Sequence, residues 1–291
     1  MNKFAAGMVM AATLASPLLA HAQVRAEGSL TNFSYTLIDL LPNDGIAPSL
    51  SIVTPQGYAG RFSVSGSLRQ FDTVEPWFDD GRSQSTAPYN RGLDVSLDTS
   101  VGTGGASLTG TDFHSLQLRA VASTTSTPAA SRQAGGQAGL NITEFVLSPG
   151  TRVSFFADFT GSASVTLPEG EVHQGYQDYA EIQAQVSLNA DIQNRPGEYV
   201  YESNFTNLKA WNGHPGESPA SERFSLTLDN NSAFSANLDL KYHLHASVQA
   251  MKGSQVPPTP VPEPATTAML VAGLALVAGA VRRRRKVRGT D

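Results

Sequence analysis

The sequence lacks cysteine altogether, which excludes disulfide bonds, cysteine-ligated zinc, iron–sulfur clusters and thiol catalysis. Charged residues are also scarce. They make up 15% of the 291 residues, against roughly 25% in an average soluble protein, so a coiled coil and a highly charged disordered chain are excluded. The formal net charge is −5, and this acidic balance argues against a nucleic-acid partner.

The sequence motifs of common enzymes are absent as well. No Gly-x-Ser-x-Gly pentapeptide marks a nucleophile elbow, and no Walker or dinucleotide-binding glycine pattern occurs. The glycine-rich run at 102–105 lacks the later glycine and the helix that phosphate binding requires. We therefore predict no enzymatic activity and no cofactor.

The first 22 residues have the layout of a secretory signal peptide, which predicts an N-terminal signal helix. Lys3 is the single charge, residues 4–19 are apolar and alanine-rich, and Ala20-His21-Ala22 offers small residues at the cleavage positions. Cleavage after Ala22 makes Gln23 the first residue of the mature chain. A retained membrane anchor is the alternative, but the apolar run is short for a membrane span.

The other end of the chain combines three segments. Residues 253–264 form a proline-rich spacer, which is extended and semi-rigid. Residues 265–281 carry no charge over 17 positions, which span about 25 Å as a helix, and snorkelling arginines can complete a crossing of the ~30 Å hydrocarbon core. The tail 282–291 then holds six cations, Arg282, Arg283, Arg284, Arg285, Lys286 and Arg288. This pattern predicts a single transmembrane helix whose basic end stays in the cytoplasm.

The order of Pro262-Glu263-Pro264, an apolar helix and a terminal arginine cluster resembles the PEP-CTERM sorting signal. The resemblance implies a Gram-negative exported protein that is processed by an exosortase, a membrane-embedded cysteine protease resembling a transpeptidase. Processing would cut near the Pro-Glu-Pro motif after a transient stay in the inner membrane. The resemblance further implies a destination at the cell surface, in the outer envelope or outside the cell, in association with exopolysaccharide or biofilm.

Removal of both ends leaves an acidic body. Residues 23–261 contain 13 Lys and Arg against 23 Asp and Glu, a balance of −10. A negative body stays soluble and avoids anionic lipid and nucleic acid. It is also compatible with calcium, because Asp39 and the Asn-Asp-Gly run at 43–45 cluster hard oxygen ligands. These residues do not match the twelve-residue calcium loop, so a structural turn is the preferred interpretation.

Period-two alternation dominates residues 23–252 and predicts an all-β ectodomain. In residues 234–250 every even position is apolar and every odd position is polar. A second run over 180–192 repeats the pattern. Each such strand has one apolar face and one wet face, as in an antiparallel sheet that covers a core on one side.

Shorter alternating segments predict further strands, and turn residues separate them. The predicted strands are 30–40, 61–71, 93–97, 116–120, 140–147, 153–167, 199–205 and 224–228. The Asp-Asn-Asn run at 229–231 predicts a hairpin, and the Ser/Thr/Ala/Gly-rich segment 122–139 predicts a long loop. About ten strands without an amphipathic helix indicate one antiparallel β-sandwich or jelly roll.

Two histidines of the alternating run form a candidate metal site. His243 and His245 lie two positions apart on one strand face, a spacing that can present two imidazoles to one metal. His114, His173 or His214 would have to supply a third ligand through folding. No third ligand is evident in the sequence, so a wet strand face that holds two histidines is the preferred interpretation.

Aromatic residues beside carboxylates suggest a sugar site. Trp77 lies close to Asp79 and Asp80, and glycosidases use a pair of carboxylates. Adjacent residues of a strand point to opposite faces, so these two aspartates cannot form the catalytic pair. Trp77 and Trp211 stay candidates for stacking on sugar, with burial in the core as the preferred interpretation.

Two functional hypotheses follow. The preferred one is a non-enzymatic structural or adhesive protein of the cell surface or extracellular matrix. The alternative is a carbohydrate-active or metal-dependent hydrolase, because a β-sandwich supports both lectins and enzymes. A concave cleft with convergent carboxylates or a histidine cluster would favour the hydrolase, and a flat Ser/Thr-rich surface would exclude it.

Overall fold

Alternating strands build two antiparallel sheets in the computed structural model. The structure describes residues 23–52, 61–71, 77–86, 92–125, 127, 130–166, 178–192, 199–211 and 219–251. These residues belong to one structural unit, which extends over residues 21–255. The all-β prediction is confirmed, and each predicted strand overlaps a strand of the structure.

The strands of the described residues are numbered β1 to β13 along the chain. The six-stranded sheet contains, in spatial order, β12 (Ala220–Asn230), β9 (Thr151–Thr166), β1 (Gln23–Asp39), β7 (Gln117–Thr125), β6 (Gly102–Thr109) and β5 (Leu93–Asp98). The seven-stranded sheet contains β11 (Tyr199–Trp211), β10 (Tyr179–Ile192), β13 (Ala236–Ala250), β8 (Ser131–Leu147), β3 (Arg61–Phe71) and β4 (Phe78–Thr86). Its seventh strand, β2 (Leu50–Ile52), pairs with β8.

The apolar faces of both sheets share one core. Side chains along β9 and β13 alternate strictly between buried and less buried positions. Aromatic rings join the two sheets: Phe33 on β1 meets Tyr242 on β13 edge to face, with ring centres 4.7 Å apart. Phe113, in a short 3₁₀ turn before β7, packs edge to face on Phe145 of β8 at 5.8 Å. Such aromatic pairs add to the stabilisation that burial alone provides.

A β-bulge in β1 changes which residues face the core. The pairing of β1 with β9 shifts between residues 31 and 34, and Asn32 adopts a left-handed φ of 55°. The Asn32 side chain donates a hydrogen bond to Asp158 on β9 at 2.9 Å. Leu30 and Phe33 are both buried, so the extra residue switches the core-facing positions from even to odd numbers.

Glycines bring the backbones of the two sheets into direct contact. Gly66 on β3 lies opposite Gly136 on β8 in the seven-stranded sheet, and both approach β6 of the other sheet. A Cβ on Gly66 would lie 2.8 Å from the carbonyl oxygen of Gly104, and one on Gly136 would lie 2.0 Å from that of Gly105. Packed sheets ordinarily lie about 10 Å apart. We call Gly66, Gly104 and Gly136 the glycine seam, where no side chain fits between the sheets.

The prediction of a long loop over 122–139 is wrong. β7 continues to Thr125, and β8 begins at Ser131. Gly136 of this segment lies in the glycine seam, and Ala134 and Ala138 beside it are buried. A composition of small residues resembles a loop, but here small size is what the close approach of two backbones requires.

The predicted hairpin at 229–231 is also wrong, because the chain crosses there from one sheet to the other. β12 belongs to the six-stranded sheet and β13 to the seven-stranded sheet. Asn230 is buried and fixes the crossing. Its Nδ2 donates to the backbone oxygens of Ser148 at 3.0 Å and Phe234 at 2.8 Å, and its Oδ1 accepts from the Ser232 hydroxyl at 2.7 Å. Phe234 therefore lies in the crossing rather than on the apolar face of a strand.

Both ends of the chain lie outside the described residues. This applies to the predicted signal helix (1–22), linker (253–264), transmembrane helix (265–281) and basic tail (282–291). Their boundaries stay predictions. Within the part that the structure describes, no helix has the length and apolarity that crossing a membrane requires.

The substitution Gly136→Ala tests the glycine seam. Its methyl group would lie 2.0 Å from the Gly105 carbonyl oxygen and 2.7 Å from that of Val121, and neither backbone can move without displacing a sheet. We expect the free energy of unfolding to fall by about 2 kcal/mol or more, as in overpacked cores. Urea denaturation measures this change.

A matched control lies on the same strand. A Cβ on Gly139 would meet the Ser63 hydroxyl at 3.2 Å, and this side chain can turn away. We expect Gly139→Ala to lower the free energy of unfolding by less than about 0.5 kcal/mol, as at ordinary surface positions. Equal losses in the two variants would contradict the seam.

Candidate functional site

The residues predicted for sorting lie outside the described part of the chain, except for Gln23. They are Pro262, Glu263, Pro264, Arg282, Arg283, Arg284, Arg285, Lys286, Arg288, Ala20 and Ala22. Gln23 is the first residue of β1, and its backbone oxygen accepts a hydrogen bond from the Thr166 hydroxyl at 2.9 Å. Cleavage before Gln23 would therefore leave β1 whole.

The outward side of the seven-stranded sheet carries an array of amide and imidazole side chains, which we call the amide face. Its members are Gln133 and Gln137 on β8, Gln183, Gln185 and Asn189 on β10, Asn207 on β11, and His243, His245 and Gln249 on β13. All have odd numbers, and the antiparallel register arranges them in rows across four strands. Gln183, for example, lies between Asn207 and His245.

Hydrogen bonds between strands order this face. Gln133 Nε2 donates to Gln249 Oε1 at 2.8 Å, and Gln137 Nε2 lies 2.7 Å from His243 Nε2. Because the amide nitrogen can only donate, the ring nitrogen of His243 acts as the acceptor. This contact requires the neutral imidazole.

Two lysines on the amide face are each paired with a carboxylate. Glu181 Oε1 accepts hydrogen bonds from three neighbours: Gln183 at 2.6 Å, Asn207 at 2.7 Å and Lys209 at 3.1 Å. Burial by itself would raise the pKa of Glu181, but the three donors together hold that pKa below its usual value. Asp239 and Lys241 form a second ion pair at 3.0 Å. The positive charges of Lys209 and Lys241 are thus both neutralised locally.

The two candidate metal ligands lie side by side on the amide face. The ring centres of His243 and His245 are 6.3 Å apart. His114 lies elsewhere, with its Nδ1 3.2 Å from the backbone oxygen of Phe33, while His173 and His214 fall outside the described residues. Among the residues that the structure describes, no three His, Asp or Glu side chains are grouped to hold a metal ion.

Exposed aromatic side chains line the outer strand of the amide face. Tyr201, Phe205 and Trp211 on β11 are 62%, 53% and 38% exposed, and we call them the aromatic edge. The prediction that Trp211 is buried in the core is therefore wrong. The same prediction is wrong for Trp77, which precedes β4 and is 66% exposed.

Sequence reasoning missed the aromatic edge although its signal was present. The odd positions of β11 carry the aromatic edge, while even-numbered Leu208 and Ala210 are buried. Large apolar groups therefore occupy both faces of one strand. Since the alternation assigns one face to the core, the aromatic side chains on the other face had to be exposed.

The carboxylates beside Trp77 do not converge. Asp79 pairs with Arg69 on β3 at 3.2 Å, and Asp80 pairs with Arg82 at 3.6 Å. Each aspartate on β4 has its own arginine. The structure thus agrees with the prediction that Asp79 and Asp80 cannot supply the two catalytic carboxylates of a glycosidase.

The two aspartates considered as calcium ligands accept hydrogen bonds from backbone amides two residues further along the chain. Asp44 Oδ1 accepts from the Ile46 amide at 2.7 Å, and Asp39 Oδ1 accepts from the Leu41 amide at 2.9 Å. Gly45 has a φ of +77°, which favours glycine in a turn. These contacts support the structural turn that the sequence predicted.

The outward side of the six-stranded sheet is rich in hydroxyl groups, and we call it the hydroxyl face. Ser29 and Thr160 are hydrogen-bonded at 2.7 Å between β1 and β9. A cavity of about 260 Å³ opens beside them. Its lining includes one carboxylate, Glu27, which lies 3.9 Å from Arg119. Ser162 and other small residues complete its walls.

An antiparallel β body, followed by a proline-rich spacer, an apolar segment and an arginine cluster, defines an all-β protein with a C-terminal sorting signal. The family model of the PEP-CTERM protein-sorting motif matches residues 260–286. The chain therefore carries this motif, and the predicted resemblance is confirmed. The motif marks an exported protein that an exosortase sorts towards the cell surface. No curated protein and no solved structure matches the chain.

The two histidines of the amide face predict a pH-dependent stability. Burial lowers the pKa of His243 and of His245. The neighbouring imidazole of His245 lowers the pKa of His243 further. Below the ordinary pKa of 6.5, the unfolded chain takes up protons that the folded chain resists. We expect the free energy of unfolding to fall as the pH drops below 6.5, before carboxylates titrate. Urea denaturation between pH 7.5 and about 5 measures this slope.

The double substitution His243→Gln and His245→Gln should flatten the slope, because glutamine cannot titrate. Ser247→Ala, a change on the same strand face, should retain the slope of the unaltered chain. An unchanged slope in the double variant would contradict the assignment to these histidines.

Proposed function

We propose that this chain is an exported, non-enzymatic β-sandwich protein that acts as a structural or adhesive component of the cell surface, in association with exopolysaccharide. The observation that carries the proposal is the PEP-CTERM motif at residues 260–286, which follows an all-β body. Exosortase would act on the tail, so the tail is the substrate of processing. The all-β body would then carry the structural or adhesive role. Removal of the tail would separate the acidic body from its membrane segment.

The surfaces of the body support adhesion rather than hydrolysis. The amide face and the hydroxyl face are broad sheet surfaces that present hydrogen-bonding groups. A glycosidase needs two carboxylates about 5–10 Å apart across a cleft. Among the lining residues of the cavity, Glu27 is the one carboxylate, and Asp79 and Asp80 are each paired with an arginine. The adhesive role is therefore favoured over the hydrolase.

Replacing the three motif residues together tests the sorting role, with Pro262→Ala, Glu263→Ala and Pro264→Ala in the native host. The unaltered protein should leave the inner membrane with a mass equal to roughly residues 23–263, since both ends are removed. The triple variant should accumulate in the inner membrane with its tail attached. Cell fractionation with intact-mass measurement reads out both results.

Two prolines of the same spacer supply the control. Pro257→Ala with Pro258→Ala changes the spacer to a similar extent but leaves the motif intact, and we expect normal processing. An unaltered protein that keeps its tail in the inner membrane would overturn the proposal.

A further inference from the structure

We propose that the aromatic edge, together with the adjacent row of β10 amides, binds a neutral linear polysaccharide along β11. This site deepens the proposed function, on which it rests, by naming the surface and the chemical class of the ligand. The argument uses four properties of the edge: the exposure of its rings, their spacing, the groups beside them and the local charge.

The three aromatic side chains are exposed on a strand whose other face reaches the core at Leu208 and Ala210. Apolar side chains of this size usually enter the core, and Leu208 and Ala210 at even positions of the same strand do so. Tyr201 and Phe205 instead keep more than half of their surface in water. Several large rings in one row on a wet face indicate a binding surface rather than scattered exposure.

Their spacing fits an extended ligand. Tyr201 and Phe205 are four residues apart and Phe205 and Trp211 six, so at roughly 3.3 Å per residue the gaps are about 13 and 20 Å. The edge thus extends over about 33 Å, longer than a single sugar. A linear chain of several sugars lying along the strand can reach all three rings.

Two of the three rings have an amide side chain directly across the strand pair, and the third faces a tyrosine. Tyr201 lies opposite Asn189, Phe205 opposite Gln185 and Trp211 opposite Tyr179. No other described side chain engages the Gln185 or Asn189 amides. A sugar ring has C–H groups on its face and hydroxyl groups on its rim. The ring face can pack on the aromatic side chain while the hydroxyls meet amides that both donate and accept.

The charge of this region selects a neutral polymer. Lys209, on the same face of β11, is paired with Glu181 at 3.1 Å, and Lys241 is paired with Asp239 at 3.0 Å. No unpaired cation lies beside the edge among the described residues, and residues 23–261 carry a balance of −10. A polyanion would therefore be repelled, whereas an uncharged polymer meets matching groups.

Addition of a strand from a second protein is the less favoured occupant. The Glu202 carboxylate of β11 accepts a hydrogen bond from the backbone amide of Thr227 on β12 at 2.6 Å. This contact brings the edge strand of the other sheet against β11. The outer backbone edge of β11, which pairs with no other strand of the described residues, is partly covered there, while the rings on its outward face stay accessible.

Affinity electrophoresis of the full chain, purified in detergent, tests the site. The gels contain laminarin, dextran or galactomannan as neutral probes and alginate as the anionic probe. We expect at least one neutral polymer to retard the chain and alginate not to. Phe205→Ala and Tyr201→Ala should each weaken that binding at least tenfold, with unchanged circular dichroism because both side chains are exposed.

Phe234→Ala is the matched control, because it removes an aromatic side chain that is 44% exposed and lies in the crossing between β12 and β13, outside the edge. Its binding should equal that of the unaltered chain. Phe205→Tyr keeps the ring and should also bind. The proposal is overturned if no neutral polymer retards the chain, if alginate binds more tightly than every neutral polymer, or if Phe234→Ala loses as much binding as Phe205→Ala. A failure to bind polysaccharide would not affect the test of the sorting motif, because binding is measured on the purified chain and does not depend on export.

Discussion

The period-two alternation of apolar and polar side chains is the constraint on which the whole structure depends. Strands such as β9, β10 and β13 bury one face in a shared interior and leave the other face in water. A slip of one residue would turn a strand inside out, so the register must be kept along strands of up to 17 residues. The bulge at Asn32 is where β1 changes its parity, and it does so to bring Phe33 against Tyr242. The two wet faces follow directly from this arrangement.

The glycine seam sets how closely the two sheets approach. Large rings such as Phe33 and Phe145 fill the interior where the sheets are apart, and backbone meets backbone at Gly66, Gly104 and Gly136. A taper of this kind explains why β6 and β8 are rich in glycine and alanine although they are regular strands. Composition in these strands reflects the distance to the opposite sheet and not flexibility.

Much of the fold could be predicted because alternation is a local property. The runs at 180–192 and 234–250 predicted β10 and β13 almost to their ends. The errors arose where the decisive partner lies far away in sequence. The strand identity of 131–139 depends on an opposing glycine on β6, and the crossing at 229–231 depends on the backbone of Ser148. Neither partner can be recognised from a short window.

The candidate site likewise has features that local sequence predicts and features that depend on distant parts of the chain. The wet face with His243 and His245 was predicted from parity alone, whereas the exposure of Trp211 was not, because a tryptophan usually indicates the core. The ion pair between Glu181 and Lys209 could not be predicted without knowing that β10 pairs with β11. The sorting tail, in contrast, is a linear signal, so its motif could be recognised from the order of residues 260–286.

Because the chain has no cysteine, introduced cysteines can test directly whether one face of a strand lies in the shared interior and the other in water. Single cysteines placed along β13 can be labelled with a water-soluble thiol reagent in the folded chain. The account predicts rapid labelling of Lys241→Cys, His243→Cys and Ser247→Cys, and slow labelling of Leu240→Cys, Leu244→Cys and Val248→Cys. Equal labelling rates for the two sets, in chains whose folding is verified by circular dichroism, would contradict it.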